Sequence, residues 1–295
     1  MNHPKILFVI DRYVSPNAGT EGQLMKLIKE LNRESYECRL LVLESSLWIS
    51  ENNFPCQVDT LGNSSIKSFN TWYKLYKMAI IYKKEGFNLA HVFFNDSSLL
   101  CPPVFKLCSI KTIISRRDMG FWYNTIYKTL LPLTGKCIAG VLTNSVAVKK
   151  ITSKIEKIPL KKIDVIYNGV ETKELLPIND VVSFKGQSKL IGIVANIRDI
   201  KRIEDAIKAV SYLVDLDVKL IIVGAGETQY LQELSDSLGI GERVLFTGGV
   251  KKPSNYMQYV DVGVQCSESE GLSNTIVEFQ MLGKPVVCSN VGGNP

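Results

Sequence analysis

Histidine is nearly missing from this 295-residue chain, which holds two, His3 and His91, far apart in sequence. With so few imidazoles, a histidine-based metal centre has no ligand set to draw on. Cysteine is present but unpaired in pattern: Cys38, Cys56, Cys101, Cys108, Cys137, Cys266 and Cys288 form no C-x-x-C spacing, which argues against both a disulfide framework and a zinc site. A reducing cytoplasm suits them best. No apolar run reaches the roughly 20 residues that span a bilayer, so any membrane contact is expected to be peripheral, at the inner face. The N-terminal MNHPKILFVID lacks the basic start, long apolar stretch and small-residue cleavage site of a signal peptide. Repeats of solenoid period and low-complexity tracts are also missing, which excludes solenoid and disordered classes.

What is present is ordinary globular composition, 45% hydrophobic and 22% charged, in a chain long enough for two cores. The charge is uneven. Residues 1–175 carry 24 Lys and Arg against 15 Asp and Glu, whereas residues 176–295 carry 11 against 14. A positive field of that kind attracts an anionic membrane surface or an anionic acceptor, although a lysine-rich solvated surface has the same composition.

Short apolar runs alternate with longer amphipathic stretches, the pattern of crossover units that build parallel sheets. In the first half the runs are residues 5–10, 38–43, 89–94, 112–115 and 140–145, with helical spacing in EGQLMKLIKELN and NTWYKLYKMAIIYKKEG. The segment at 171–188 breaks the rhythm with Pro177, Asn179, Asp180 and Gly186, as an interdomain connection does. A second series follows at 190–196, 219–224, 244–248, 261–266 and 285–290. The expected organisation is a first domain over 1–172, a linker over 173–187 and a second domain over 188–295. The closing VGGNP has no helix after it, so the second domain is expected to be incomplete.

In open α/β sheets ligands collect beyond the carboxyl ends of the strands, and four such places carry notable residues. In SPNAGTEGQL (15–24), Gly19 and Gly22 suit close approach of a phosphate to a helix start, or simply a strand-to-helix turn. In VANIRDIKRIED (194–205), Arg198, Lys201 and Arg202 crowd a helix start, where cations call for a compensating anion such as a diphosphate. The alternative is a solvated turn in which Glu204 and Asp205 answer Lys201 and Arg202. VGAGETQ (223–229) begins a G-x-G-x-x-G fingerprint but has Gln229 at the sixth position, so a tight turn fits better than dinucleotide binding. In CSESEGLSNTIVEFQMLGKPVV (266–287), Glu270 and Glu278 lie eight apart, with Gly271 opening a loop and Ser273, Asn274 and Thr275 suited to starting a helix. Free N–H groups there suit a phosphate and Glu278 suits ribose hydroxyls; two surface glutamates are the plain alternative.

SESEGLSNTIVE resembles the Glu-x7-Glu motif of the family 4 retaining glycosyltransferases of the GT-B fold, and GKPVVCSNVGGNP resembles the segment that follows it. TNSVAVKK (143–150), VIYNGVE (165–171) and VANIRDIKRIEDAI resemble further segments of that family, in its order. The resemblance implies an α/β fold of GT-B type, two Rossmann-like doubly wound parallel-sheet domains facing a cleft, the second truncated at its C-terminus. It implies Gly19 near the donor phosphates, Lys201 on the diphosphate, Glu270 on the transferred sugar, Gly271, Leu272, Ser273, Asn274 and Thr275 around phosphate and sugar, and Glu278 on the ribose. Asn196 stands where many members carry the diphosphate arginine, so that role passes to Arg198; Glu270, Lys201 and Arg198 are then the expected catalytic set. The family often has a histidine near the end of the fourth strand; SRRDMGFW (115–122) stands there, with Arg117 and Asp118 as the residues meeting donor or acceptor.

The activity implied is transfer of a hexose-type sugar, with retention, from a nucleoside diphosphate sugar to a hydroxyl of a glycan or lipid-linked acceptor in surface polysaccharide biosynthesis. The donor is expected to be a UDP-sugar ahead of a GDP-sugar, with no metal or other cofactor required and no nucleic acid as partner. A nucleotide-sugar epimerase of the same architecture and a non-catalytic nucleotide-sugar-binding fragment remain as alternatives. Phe69, Trp72, Tyr73, Tyr76 and Ile80 share a helical arc, which either rests on a membrane or packs on its own sheet.

Overall fold

The computed structural model describes residues 3–16, 19–62, 65–171 and 174–295, which form two compact units, 1–168 and 169–295. In the first unit the elements run β1 (Lys5–Arg12), α1 (Gly19–Arg33), β2 (Glu37–Glu44), α2 (Leu47–Glu51), β3 (Gln57–Thr60), α3 (Phe69–Lys84), β4 (Leu89–Phe93), α4 (Asp96–Leu107), β5 (Lys111–Arg116), α5 (Thr125–Thr134), β6 (Gly140–Thr143), α6 (Val146–Glu156) and β7 (Ile163–Val165). The strands pair in parallel in the order β3-β2-β1-β4-β5-β6-β7.

Alternation along each strand divides the apolar side chains between two faces. In β1, Leu7 and Val9 join the cluster under α3 and α4, whereas Phe8 and Ile10 join Leu24 and Ile28 of α1. Each fully buried side chain of this size contributes about 1.5–3 kcal/mol, so both faces are held.

The second unit contains α7 (Asn179–Lys185), β8 (Lys189–Val194), α8 (Ile203–Ser211), β9 (Val218–Val223), α9 (Gln229–Ser237), β10 (Val244–Gly248), α10 (Ser254–Met257), β11 (Val262–Gln265), α11 (Asn274–Met281) and β12 (Val286–Cys288). Its parallel order is β10-β9-β8-β11-β12. In β9, Leu220 and Ile222 face one core and Ile221 and Val223 the other. Helix α7 lies within the segment read as the linker. Val181 is buried against Leu190, Met257 and Phe279, and Lys185 pairs with Asp261 at 2.7 Å, so the segment is part of this unit's core.

The aromatic arc of α3 is divided, a correction to the reading that groups it. The sheet-facing residues are Thr71, Leu75, Ala79 and Tyr82, flanked by Trp72 and Met78, while Phe69 is 84% exposed and Tyr73 and Tyr76 are about half exposed. Two small side chains, Thr71 and Ala79, bring the helix close to the sheet and rotate the aromatics outward.

Candidate active site

In each unit the first strand lies mid-sheet and its successors run outward in opposite directions. The strand order therefore reverses between β1 and β4, and again between β8 and β11, the places where open α/β sheets bind ligands.

At the second of these points the loops after β8 and β11 are joined. Glu268 N–H donates to the Ile200 carbonyl (2.9 Å), and above this bond Lys201 Nζ lies 2.5 Å from Glu270 Oε1. Both side chains are largely sheltered. A turn of 3-10 helix, Asp199–Lys201, delivers the lysine; Arg202, in the left-handed region at φ 51°, ends it and opens α8. Arg202 pairs with Glu204, Asp205 and Glu268, so it takes the solvated-turn role that the sequence left open, while Lys201 does not. Arg198 and Asn196 are exposed on the same loop.

Gln265, buried at the end of β11, donates from Nε2 to Glu270 Oε1 (2.5 Å) and accepts at Oε1 from Ser273 Oγ (2.6 Å). Ser273 in turn caps α11, accepting from Ile276 N–H at 3.4 Å. One amide thus spans the loop 266–273 and fixes Glu270 relative to the helix start. Gly271 and Ser273 are buried, Leu272, Asn274 and Thr275 partly so. Thr275 Oγ1 donates to the Val194 carbonyl (3.0 Å), which anchors α11 to the end of β8. Glu278 lies one turn inside α11.

The glycine turn after β9 buttresses the loop that holds Arg198. Ala195 and Ile197 N–H donate to the Val223 and Ala225 carbonyls at 3.0 and 2.8 Å. A Cβ on Gly224 would stand 1.8 Å from the Ala195 carbonyl oxygen, and Gly226 adopts φ +143°, open only to glycine.

Gly19, Arg117 and Asp118 belong to the first unit. Gly19 is the first residue of α1. Gly22, read beside it as a phosphate-approach glycine, is required for another reason: a Cβ there would lie 2.5 Å from the Pro16 carbonyl oxygen. At the β1–β4 reversal Asp11 caps α4, accepting from the N–H groups of Asn95, Asp96 and Ser97 at 3.0, 3.1 and 2.8 Å. Burial nevertheless outweighs those bonds and raises its pKa. Arg116, buried at the end of β5, pairs with buried Glu156 at 2.6 Å and donates to Ser98 Oγ (2.8 Å) and the Phe94 carbonyl (3.2 Å). Tyr123 donates to the same Glu156. Phe94 sits at φ 68°, a left-handed conformation costly for a bulky residue and held here by Arg116 and Ser98. Asp118 Oδ1 accepts from Gly120 N–H (2.7 Å) and Trp122 Nε1 (2.8 Å), closing the turn after β5. His91 is buried within β4, its Nε2 2.8 Å from Ser115 Oγ. Desolvation first, then the charge of Arg117, push its pKa down to about 3.

Gln265 and the Arg116–Glu156 pair escape the motif reading, whereas Gly224 and Gly226 lie in the segment read as a tight turn. Gln265 left one trace, a polar residue ending the apolar run DVGVQC.

The sequence profile of the family described as Glycosyl transferases group 1 matches residues 178–295. The chain is 24% identical to N-acetyl-alpha-D-glucosaminyl L-malate synthase of Bacillus anthracis over 74% of this chain and 61% of that protein. It is 25% identical to the Escherichia coli UDP-Gal:alpha-D-GlcNAc-diphosphoundecaprenol alpha-1,3-galactosyltransferase over 99% of this chain and 81% of that one. Among solved structures, Anabaena HepE in complex with UDP superposes with a TM-score of 0.79 at 20% identity, covering 98% of this chain and 81% of that one. Residues 178–295 thus resemble a glycosyl transferases group 1 domain. The chain has the GT-B fold, built from two Rossmann-like domains. The aligned segment spans just over three-fifths of the first relative's length.

Proposed function

We propose that the chain is a retaining glycosyltransferase that moves a hexose-type sugar from a nucleoside diphosphate sugar, a UDP-sugar ahead of a GDP-sugar, to a hydroxyl of a glycan or lipid-linked acceptor, in surface polysaccharide biosynthesis. The observation that carries it is the meeting of Lys201 and Glu270 at the β8–β11 reversal, beside the start of α11. Glu270 meets the sugar, Glu278 the ribose, and the backbone from Gly271 to Thr275 surrounds the phosphates.

Negative charge grows on the diphosphate as the glycosidic bond breaks. Lys201, Arg198 and the N–H dipoles at the start of α11 then stabilise the departing diphosphate more than the intact donor, and that difference is what accelerates the step. On this reading the ammonium of Lys201 stands in for a divalent cation, and activity persists in EDTA. The similarity to a UDP-galactose-dependent enzyme and to a UDP-bound structure supports the choice of uridine. Contact with an anionic bilayer is assigned to the basic first domain, where exposed Phe69, Tyr73 and Tyr76 lie among Lys74 and Lys77 of α3.

Thermal unfolding with UDP, GDP, ADP and their sugars, repeated with Glu278→Ala, tests the donor site. A base-selective rise in melting temperature that the variant loses supports it, because a ligand of the folded state must stabilise that state. No shift with any nucleotide rejects it. Product analysis without acceptor completes the test: an epimerised sugar nucleotide would assign the epimerase activity instead.

A further inference from the structure

Gln265 is 7% exposed at the end of β11, and both ends of its amide are committed. On the helix side, Ser273 Oγ accepts from Ile276 N–H and gives its single proton to Gln265 Oε1. Nε2 is thereby turned the other way, donating one hydrogen to Glu270 Oε1 at 2.5 Å and the other to Ser267 Oγ at 3.3 Å. An ionised carboxylate only accepts, so Glu270 selects the same orientation of the amide as Ser273 does. The bonds run in one direction, from the first turn of α11 to the carboxylate. Sheltered from water, bonds aligned in this way polarise and strengthen one another.

Lys201 Nζ donates to the same oxygen, Oε1. Oε1 is thus taken twice, whereas Oε2 accepts from no described residue and is not enclosed. The lysine alone would not impose this difference, because an ammonium on a flexible stem follows a carboxylate through its rotamers and holds either oxygen equally well. The amide cannot follow. Ser273 and Ser267 hold its two ends, and Ser289 N–H holds the Gln265 carbonyl at 2.9 Å.

We propose that Gln265 is a positioning residue that holds Glu270 by Oε1, so that Oε2 is the one oxygen presented to a hydroxyl of the transferred sugar. Gln265 itself touches no ligand on this assignment. It contributes to affinity for the sugar and not for the nucleotide. The sugar as ligand rests on the glycosyltransferase reading; the hold on Glu270 does not.

The decisive variant is Gln265→Glu, which matches the amide in size and still accepts from Ser273 but sets an oxygen against Glu270. Deprotonated, that oxygen repels Glu270; protonated, it donates as the amide did. Calorimetry measures binding of UDP, UDP-glucose, UDP-galactose and UDP-N-acetylglucosamine to wild type, Gln265→Met, Gln265→Glu and Glu270→Gln. In Gln265→Met the preferred UDP-sugar should bind about tenfold more weakly with UDP affinity unchanged, as in Glu270→Gln, and combining the two substitutions should add nothing further. In Gln265→Glu the deficit relative to wild type at the same pH should be full near pH 8 and recover towards about pH 5.5. A merely structural role would not make the deficit follow pH.

Full UDP-sugar affinity in Gln265→Met, a loss shared equally by UDP and the UDP-sugars, or a Gln265→Glu deficit that ignores pH overturns the assignment. Should Gln265→Met fail to fold, the pH recovery of Gln265→Glu decides alone. Should no UDP-sugar bind wild type, or Glu270→Gln leave the sugar's contribution intact, the donor reading fails at Glu270, and crystal structures of wild type and the Gln265 variants decide the positioning. A carboxylate displaced from Lys201 in the variants sustains it, and an unmoved one overturns it.

Discussion

Lys201 and Glu270, 69 residues apart in sequence, face each other at 2.5 Å across the point where the second sheet changes direction. Among the described residues each is the other's only charge partner within 4 Å. Removing one leaves a sheltered charge unanswered, so Lys201→Met and Glu270→Gln should each cost about 1–3 kcal/mol of stability. The double variant should cost less than the sum, by about 1 kcal/mol, in a cycle of urea melts. Additive losses would show that the pair contributes nothing as a pair. In transfer assays Glu270→Gln should reduce kcat by about 10²–10³ if it stabilises developing charge.

Gly224→Ala tests the buttress behind the Arg198 loop. The added methyl must displace the Ala195 carbonyl, which costs about 1–3 kcal/mol and shifts residues 195–198. Thermal melts should record the lost stability, and calorimetry a UDP affinity reduced about tenfold. Wild-type affinity in a destabilised variant would separate the turn from the site.

His91 makes stability pH-dependent. Its folded pKa of about 3 lies below the ordinary imidazole value of 6.5, so between these values the unfolded chain binds a proton that the folded chain refuses. Stability is therefore full above pH 6.5 and falls as pH drops towards 3, by at most about 1.4 kcal/mol per unit. His91→Gln should be less stable than wild type at pH 7, by about 1–2 kcal/mol, because it disturbs the contact with Ser115. The gap should narrow by pH 5 in urea melts. A constant gap would place the titration elsewhere.

Arg116 and Glu156 show the same chemistry deeper in the protein. Burial opposes the arginine's charge, but Glu156 and then Tyr123 outweigh it and raise its pKa. Glu156→Gln leaves the guanidinium buried without a counter-charge, and a loss of about 3–5 kcal/mol is expected in urea melts. A loss under 1 kcal/mol would mean that Tyr123 and Ser98 suffice.

The parallel sheets were legible because their central strands are covered on both faces and read as unbroken apolar runs. β3 and β7 were not. They are edge strands of four and three residues in which only Ile163 is buried, and QVDT and IDV carry no apolar run. α4 was hidden by Pro102 and Pro103 inside it; the Ser98 carbonyl, which Pro102 leaves without its helical donor, accepts instead from Thr134 Oγ1. In the site, the acidic and basic residues were visible by type, but the pairing of Lys201 with Glu270 rather than with Glu204 or Asp205 depends on a crossover between strands far apart in sequence. The role of Gln265 was invisible for the same reason, since a single amide acquires meaning only when both ends of its loop are in place.

The chain's last described residues complete that loop. Ser289 N–H donates to the Gln265 carbonyl, Ser289 Oγ to that of Ser267, and Gly293 N–H to that of Glu270, at 2.9, 2.5 and 3.1 Å. During synthesis the first sheet has all its strands once residue 168 has emerged, whereas Glu270 has no such tether until residue 293 follows. At ribosomal rates that interval is roughly 6–25 s, during which a nascent chain that already has every strand of its first sheet lacks these last backbone bonds to the Glu270 loop.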